Sequence, residues 1–314
     1  MFAELRTKTP NESVRRVVAL AGNIILGKER QIRLALACIL ARGHLLIEDV
    51  PGVGKTTLAH VLAKLLGMDF HRIQFTSDLL PADIIGSALY DRENHVLRFH
   101  PGPIFAQMIL ADEINRASPK SQSALLEAME ERQVTAEGET RPLPEPFFVI
   151  ATQNPAHQIG TFPLPESQLD RFLLRIQLGY PDSTAERQLL RGQERREMIA
   201  EVMPCMTLEE LLALQRLVPT VHVSEALLDY VQALIQHTRT SNRYAAGLSP
   251  RAGLALLRAA QSWALISGRG HVLLEDVQAV LGPVVGHRLY FAGERAGGIQ
   301  ADAAADVLTA VPIP

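Results

Sequence analysis

The residues with the clearest chemical meaning are a lysine and a threonine at the end of a Pro/Gly-rich turn. Residues 45–57 read LLIEDVPGVGKTT. An apolar run typical of a strand precedes the turn, and the apolar residues after it recur at helical spacing, namely Leu58, Val61, Leu62, Leu65 and Leu66. A glycine turn between a strand and a helix N-terminus points backbone N–H groups at an anion, so this pattern predicts a phosphate site.

Each residue type in this turn has a role in holding a nucleotide. Lys55 would reach the β- and γ-phosphates of ATP, and the Thr56 hydroxyl would ligate Mg²⁺. Asp49 departs from the usual pattern, which has glycine five places before Gly54, and this leaves the backbone path of the loop open. The predicted nucleotide-binding residues of the turn are Asp49, Pro51, Gly52, Val53, Gly54, Lys55, Thr56 and Thr57.

Two further predicted strands end in polar residues. The apolar run 104–111 leads into Asp112 and Glu113, and the run 147–152 leads to Asn154. Ligands of doubly wound α/β sheets bind beyond the carboxyl ends of the strands, so we expect these side chains to meet the phosphate turn. Asp112 would hold Mg²⁺ through its water shell, Glu113 would deprotonate the attacking water, and Asn154 would bind that water or the γ-phosphate. A solvated acidic pair at a helix start and an Asn-Pro turn are the alternatives.

The order of the predicted elements indicates two domains. Strands and helices alternate up to about residue 180, which predicts an α/β fold with a central parallel sheet. Beyond that point only helices are predicted, over 184–199, 207–218, 224–240, 250–267 and 274–281, with a marginal helix within 297–314. We therefore expect a nucleotide-binding core at 1–180, with inserts near 78–103 and 132–145, and an all-helical domain at 181–314.

Composition excludes several classes of protein. The 314 residues are 47% hydrophobic and 21% charged, which suits a globular chain of two domains. A net charge of −3 provides no electrostatic reason to expect nucleic acid or anionic lipid as the main partner. The two cysteines lie far apart, and the sequence predicts neither a signal peptide nor a membrane span. We therefore expect a cytoplasmic protein.

Five motifs, in order along nearly the whole chain, resemble those of the MoxR family of AAA+ ATPases, in the helix-2-insert clade. They are EDVPGVGKT at 48–56, DEINR at 112–116, ATQNP at 151–155, QLDRF at 168–172 and LSPRA at 248–252. The resemblance implies a P-loop core, a helical lid and assembly into a homo-oligomeric ring, commonly a hexamer. It also implies that aspartate is usual at position 49 and that the two inserts face the pore or rim of the ring.

The resemblance adds roles for residues outside the strand ends. Arg171 matches the arginine finger that reaches a neighbour's γ-phosphate, with Arg175 as the nearby alternative. Arg251 matches the sensor-2 arginine, which would report bound nucleotide to the lid. Ile25 and Gly27 match the segment that lines the adenine pocket.

The expected function is magnesium-dependent ATP hydrolysis that drives chaperone-like remodelling, maturation or activation of a partner protein or metalloenzyme complex. The resemblance suggests a protein client, often beside a von Willebrand A-domain protein. A magnesium-chelatase-type metal-insertion motor is the alternative. A nucleic-acid motor of the same clade is less favoured, because the second insert carries Glu137 and Glu139 where basic residues would be needed.

Overall fold

A computed structural model describes residues 10–92, 94–154, 160–192, 195–293 and 302–313. The helices are α1 (Pro10–Ile24), α2 (Glu29–Leu40), α3 (Lys55–Leu65), α4 (Pro81–Ile85), α5 (Pro119–Glu131), α6 (Glu166–Leu169), α7 (Ser183–Arg191), α8 (Arg195–Ala200), α9 (Leu208–Leu217), α10 (Glu225–Thr240), α11 (Pro250–Ile266), α12 (Leu274–Val285) and α13 (Ala303–Ala310). The strands are β1 (Leu45–Glu48), β2 (Phe70–Gln74), β3 (Gly86–Asp91), β4 (Val96–Pro101), β5 (Met108–Asp112), β6 (Gln133–Ala136), β7 (Glu139–Pro142), β8 (Phe148–Gln153) and β9 (Leu174–Ile176).

The central sheet has five strands in the order β2-β5-β8-β1-β9, and every neighbouring pair is parallel. Strands β5 and β8 are buried on both faces almost throughout, as their continuous apolar sequences predict. Strand β2, whose residues have mixed polarity, lies at the edge. The predicted α/β core with a parallel sheet, followed by a helical region, is confirmed.

The two predicted inserts form antiparallel hairpins. Strands β3 and β4 pair from Gly86 with Pro101 to Asp91 with Val96, and β6 pairs with β7. Both hairpins are two-stranded sheets separate from the central one.

Three predicted elements have different bounds in the structure. The predicted strand at 104–111 begins only at Met108, because Pro103 starts a 3₁₀ turn that runs to Phe105. The predicted helix at 184–199 is two helices, and α7 ends before Gly192, a residue that is unfavourable inside a helix. Helix α12 continues beyond residue 281 to Val285, with Pro283 in its last turn.

The sheet lies between two apolar layers that the lid helices help to complete. Leu45 and Ile47 of β1 face one layer and Leu46 faces the other. The first layer contains α2 together with buried residues of α9–α12, so the apolar core continues from the sheet domain into the lid. Buried hydrogen bonds join the same parts, from Gln215 to the carbonyl of Ile39 and from Ser262 to that of Ala37. The division at residue 180 stays a prediction.

Among the described helices, none has the length and apolar character needed to cross a bilayer.

Candidate functional site

The loop between β1 and α3 turns at two glycines with left-handed backbone conformations. Gly52 and Gly54 have φ values of 86° and 96°, in the left-handed region. A Cβ atom on either glycine would meet nothing within 4 Å. Glycine is therefore favoured at these positions because of the left-handed backbone conformation and not because a side chain would clash. Helix α3 begins directly after Gly54, at Lys55. The first N–H groups of a helix have no intrahelical acceptor, and here they lie beside the loop, where they can bind phosphate oxygens.

Asp49 fixes the start of this loop. Its Oδ1 accepts a hydrogen bond from the N–H of Val50 at 2.8 Å. Its Oδ2 accepts from the N–H groups of Leu178 and Gly179 at 2.7 and 2.6 Å. The carboxylate therefore ties the loop to the segment after β9, and the structure places Asp49 as a support of the loop rather than as a phosphate contact.

Lys55 lies between the loop and the end of β8. Its Nζ donates to the backbone carbonyl of Asp49 at 2.5 Å and to Oδ1 of Asn154 at 3.0 Å. Burial lowers the pKa of Lys55, while the carboxylates of Asp49, Asp112 and Glu113 act in the opposite direction and favour the ammonium form. The ammonium group of Lys55 therefore lies where it can bind a nucleotide phosphate on the loop.

A chain of hydrogen bonds continues from Lys55 to the predicted general base. Nδ2 of Asn154 donates to Oε1 of Glu113 at 3.0 Å. Oε2 of Glu113 accepts from Gln74 at 3.2 Å and lies 3.1 Å from Nε of Arg116. The structure thus brings together Lys55 at the start of α3, Glu113 after β5 and Asn154 after β8, and gives both oxygens of Glu113 defined partners.

Asp112 is buried between two partners that sequence reasoning missed. The hydroxyl of Thr152 donates to Oδ1 at 2.6 Å. The guanidinium of Arg72 donates to Oδ2 through Nε at 3.1 Å and Nη2 at 2.6 Å. Arg72 also donates to Gln74, so these two residues of β2 connect Asp112 to Glu113. The sequence signal that could have identified Arg72 and Gln74 is their i, i+2 spacing, which puts both side chains on one face of an edge strand.

The donor set near the loop fits a hydrated magnesium ion. Thr56 lies in the first turn of α3 with an exposed side chain, and Asp112 ends β5 two strands away from β1. Mg²⁺ prefers oxygen ligands and is usually held by one or two carboxylates together with waters and substrate phosphates. One hydroxyl and one carboxylate therefore suffice as the protein's share.

The predicted adenine segment lies beside the start of the loop. Gly27 has a φ of 70°, and a Cβ there would lie 3.3 Å from Oδ2 of Asp182. Ile25 is buried. Lys28 donates to the carbonyl of Tyr180 at 2.7 Å, one residue after the Gly179 amide that Asp49 binds. The segment is thus close to the phosphate loop through the link between sheet and lid.

Arg171 and Arg251 lie at the opposite edge of the sheet from the phosphate loop. Arg171 precedes β9, and the N–H of Leu173 bonds the carbonyl of His44 just before β1. Arg251 pairs with Glu130 at the end of α5 at 2.5 Å. Both arginines line one groove of about 210 Å³. Four residues of β1, about 13 Å of strand, separate this groove from the loop, so neither arginine reaches its own chain's loop.

The two candidate finger arginines have different surroundings. Among the described residues, none forms a hydrogen bond or ion pair with the Arg171 guanidinium, which lines the open groove. Arg175 instead lies within β9 with a side chain that is 18% exposed, and it pairs with Glu48 at 2.9 Å. The geometry favours Arg171 as the residue that can reach outward.

Comparison with known proteins agrees with this arrangement. The sequence profile of the ATPase family associated with various cellular activities matches residues 44–174, and an AAA lid profile matches residues 236–307. The chain is 41% identical to Chaperone MoxR1 of Mycobacterium tuberculosis, over 88% of this chain and 75% of that protein. It is 35% identical to Protein MoxR of Paracoccus denitrificans, over 87% of each. A crystal structure of a candidate ATPase from Cytophaga hutchinsonii has a TM-score of 0.89 at 37% identity, over 97% of this chain and 96% of that one. The chain therefore belongs to the MoxR family of AAA+ ATPases.

Proposed function

We propose that this ATPase acts as a homo-oligomeric ring, commonly hexameric in such proteins, in which each ATP site is completed by a neighbouring subunit. The observation that carries the proposal is the separation of the site residues. Lys55, Glu113 and Asn154 are bonded together at one edge of the sheet, whereas Arg171 and Arg251 line a groove at the other. A head-to-tail arrangement of subunits would bring the two edges together.

Within one subunit, the residues at the loop edge bind ATP and prepare the water. The loop N–H groups and Lys55 hold the phosphates, and Thr56 and Asp112 hold Mg²⁺, which when bound neutralises charge that develops on the phosphates. Glu113 takes the proton of the attacking water. Asn154 fixes Glu113 through its amide and also contacts Lys55, so the base and the phosphate-binding lysine are positioned by one side chain.

Between subunits, the groove arginines would stabilise the charge of the transferred phosphoryl group. Arg171 supplies the finger, because its guanidinium lines the groove without a partner among the described residues. Arg251 would face the same neighbouring nucleotide. Its present partner is Glu130, in an ion pair with both side chains more than a third exposed. Such pairs contribute about 0–1 kcal/mol, so a phosphate can replace the glutamate at little cost.

A protein client fits the first hairpin better than nucleic acid does. The tip of β3–β4 exposes large apolar side chains, with Leu97 71% exposed, and the others are Leu89, Tyr90 and Val96. Exposed apolar groups of this kind favour contact with another protein. We therefore propose chaperone-like remodelling of a protein, in line with the name of the relative Chaperone MoxR1. Maturation of a metalloenzyme, a von Willebrand A-domain partner and a cytoplasmic location stay predictions from sequence.

The test is ATP turnover per subunit over a wide range of protein concentrations, with Mg²⁺ present and the assembly state measured by sizing. We expect turnover to rise with concentration and then saturate, because sites are completed on assembly. Mixing Lys55→Ala with Arg171→Ala subunits, each inactive alone, should restore about one quarter of wild-type turnover when rings mix at random. Turnover by a monomer at the full rate, or mixtures that stay inactive, would contradict the proposal.

A further inference from the structure

The segment that carries Arg171 is held by two residues that follow lid helix α12. The guanidinium of Arg288 donates to Oδ1 of Asp170 at 2.6 Å, to the carbonyl of Phe172 at 2.6 Å and to that of Leu173 at 3.2 Å. It also bonds the carbonyl of Asp170 at 3.2 Å. The acceptors lie on both sides of Arg171 in the chain, so one lid side chain fixes the backbone that directs the finger.

A second lid residue binds the same segment. The Nε2 of His287 donates to the carbonyl of Phe172 at 2.9 Å. Burial holds the pKa of His287 well below its usual value, so the ring is neutral and donates through this nitrogen. The carbonyl of Phe172 therefore receives hydrogen bonds from two consecutive lid residues, His287 and Arg288.

The burial of Arg288 indicates a specific task. Its side chain is 5% exposed, and burying a guanidinium is costly unless nearly every N–H group finds an acceptor. Burial lowers the pKa of Arg288, and the hydrogen bond and charge of Asp170 oppose this shift. Among the described residues, the acceptors of its guanidinium all belong to residues 170–173, apart from the carbonyl of Val284 in the preceding helix. A purely apolar lid contact would not orient this segment.

We propose that Arg288 is a positioning residue for Arg171, so that the lid of one subunit holds the finger that completes the ATP site of the next. The inference rests on the proposed function, because it assumes that Arg171 acts on a neighbour. It makes the lid of each subunit a support of the ATP site of the adjacent subunit.

The test places Arg288→Met in the same mixing experiment. Alone, the variant should bind ATP with wild-type affinity and lose turnover at least about tenfold, since a misplaced finger affects only the reaction. Turnover should return on mixing with Lys55→Ala subunits, which supply an intact finger, and should not return with Arg171→Ala subunits. Return with Arg171→Ala, or none with Lys55→Ala, would overturn the inference. Failure of the Lys55→Ala and Arg171→Ala mixture itself would instead count against the proposed function.

Two further variants separate positioning from folding. Asp170→Asn removes the charge partner from the other side, at a side chain that is 25% exposed and more tolerant of change. It should show the same mixing pattern with a smaller loss, and it replaces Arg288→Met if that variant fails to fold. Arg269→Met is the matched control, because Arg269 pairs with the buried Asp276 inside the lid. If Arg269→Met also lost turnover and regained it with Lys55→Ala subunits but not with Arg171→Ala subunits, the inference would be overturned.

Discussion

Asn154 connects Lys55 and Glu113 through the two ends of its side-chain amide. Its Oδ1 accepts from Lys55 and its Nδ2 donates to Glu113. An ammonium group can only donate and an ionised carboxylate can only accept, so both bonds form with a single orientation of the amide. An aspartate at this position would offer no donor to Glu113 and would repel it.

Thr152, a buried residue of β8, likewise forms two hydrogen bonds that connect site residues. Its hydroxyl donates to Asp112 at 2.6 Å and accepts from the backbone N–H of Glu113 at 2.8 Å. Glu113 has a φ of 58°, a left-handed conformation that costs a residue with a side chain about 1–2 kcal/mol. The hydroxyl therefore helps to hold Glu113, the proposed general base, in a backbone conformation that it would not otherwise prefer.

We predict that Thr152→Val lowers the free energy of unfolding by about 1–3 kcal/mol, because it leaves a buried donor and a buried acceptor without their partner. Turnover should fall as well, since Glu113 loses its backbone anchor. Thr152→Ser is the control, because it keeps the hydroxyl and should stay close to wild type in turnover. Urea unfolding and phosphate release measure both effects. Equal turnover in the valine and serine variants would contradict the role of the hydroxyl.

At the scale of elements, the β3–β4 hairpin is joined to the core through two closely packed glycines. A Cβ on Gly102 would lie 2.3 Å from the carbonyl oxygen of Ile84, and one on Gly86 would lie 2.2 Å from that of His100. Gly102 has a φ of −79°, which any residue adopts, so contact and not conformation demands glycine there. The tight base fixes the direction in which the apolar hairpin tip points.

We predict that Gly102→Ala destabilises the protein by at least about 2–3 kcal/mol, because the added methyl meets backbone atoms that cannot move independently. Gly138→Ala, in the turn of the second hairpin, is the matched control. Gly138 has a φ of 78° but open space around a Cβ, so its substitution should cost only about 1–2 kcal/mol. Chemical denaturation of both variants gives the comparison. A smaller loss for Gly102→Ala than for Gly138→Ala would show that the hairpin shifts to relieve the contact.

At the scale of the whole molecule, two buried neutral histidines connect elements that are distant in the sequence. His44 joins the start of β1 to α5 and β8, and His287 joins the lid to the segment before β9. Nδ1 of His44 accepts from the N–H of Val149 at 3.0 Å and Nε2 donates to the carbonyl of Met129 at 3.3 Å, which uses both nitrogens of a neutral ring. Burial lowers the pKa of His44 to about 3. His287 joins the lid to Phe172, and its pKa is likewise well below the usual value.

We predict that the free energy of unfolding falls as the pH drops below about 6.5. Both folded-state pKa values lie below the unfolded value, so the unfolded chain binds more protons in this range and stability present at higher pH is lost. His44 should account for about 1.4 kcal/mol at pH 5.5 relative to pH 7.5, and His287 should add to the loss in the same direction. Urea unfolding at pH 7.5 and 5.5 measures the loss. His44→Gln should remove part of it, and a pH-independent stability would contradict the assignment.

Much of the fold and the centre of the site follow from local patterns in the sequence. Apolar runs, helical spacing and turn residues determine the strands of the sheet and most helices, because each depends on a few neighbouring residues. Lys55, Glu113 and Asn154 were predicted to meet because the carboxyl ends of parallel strands lie at one edge. Two of the bounds that differ reflect single residues, since Pro103 starts a 3₁₀ turn ahead of β5 and Gly192 follows the end of α7.

Only the tertiary structure decided which distant side chains meet. The pair of Arg72 with Asp112 depends on the register between β2 and β5, in which Gln74 lies opposite Asp112. The placement of Arg251 beside Glu130 depends on how the lid packs, and Arg288 binds Asp170 across 118 residues of chain. Local sequence determines the elements because their energetics are local. Pairings between elements depend on the packing of the whole chain, and so no short motif contains them.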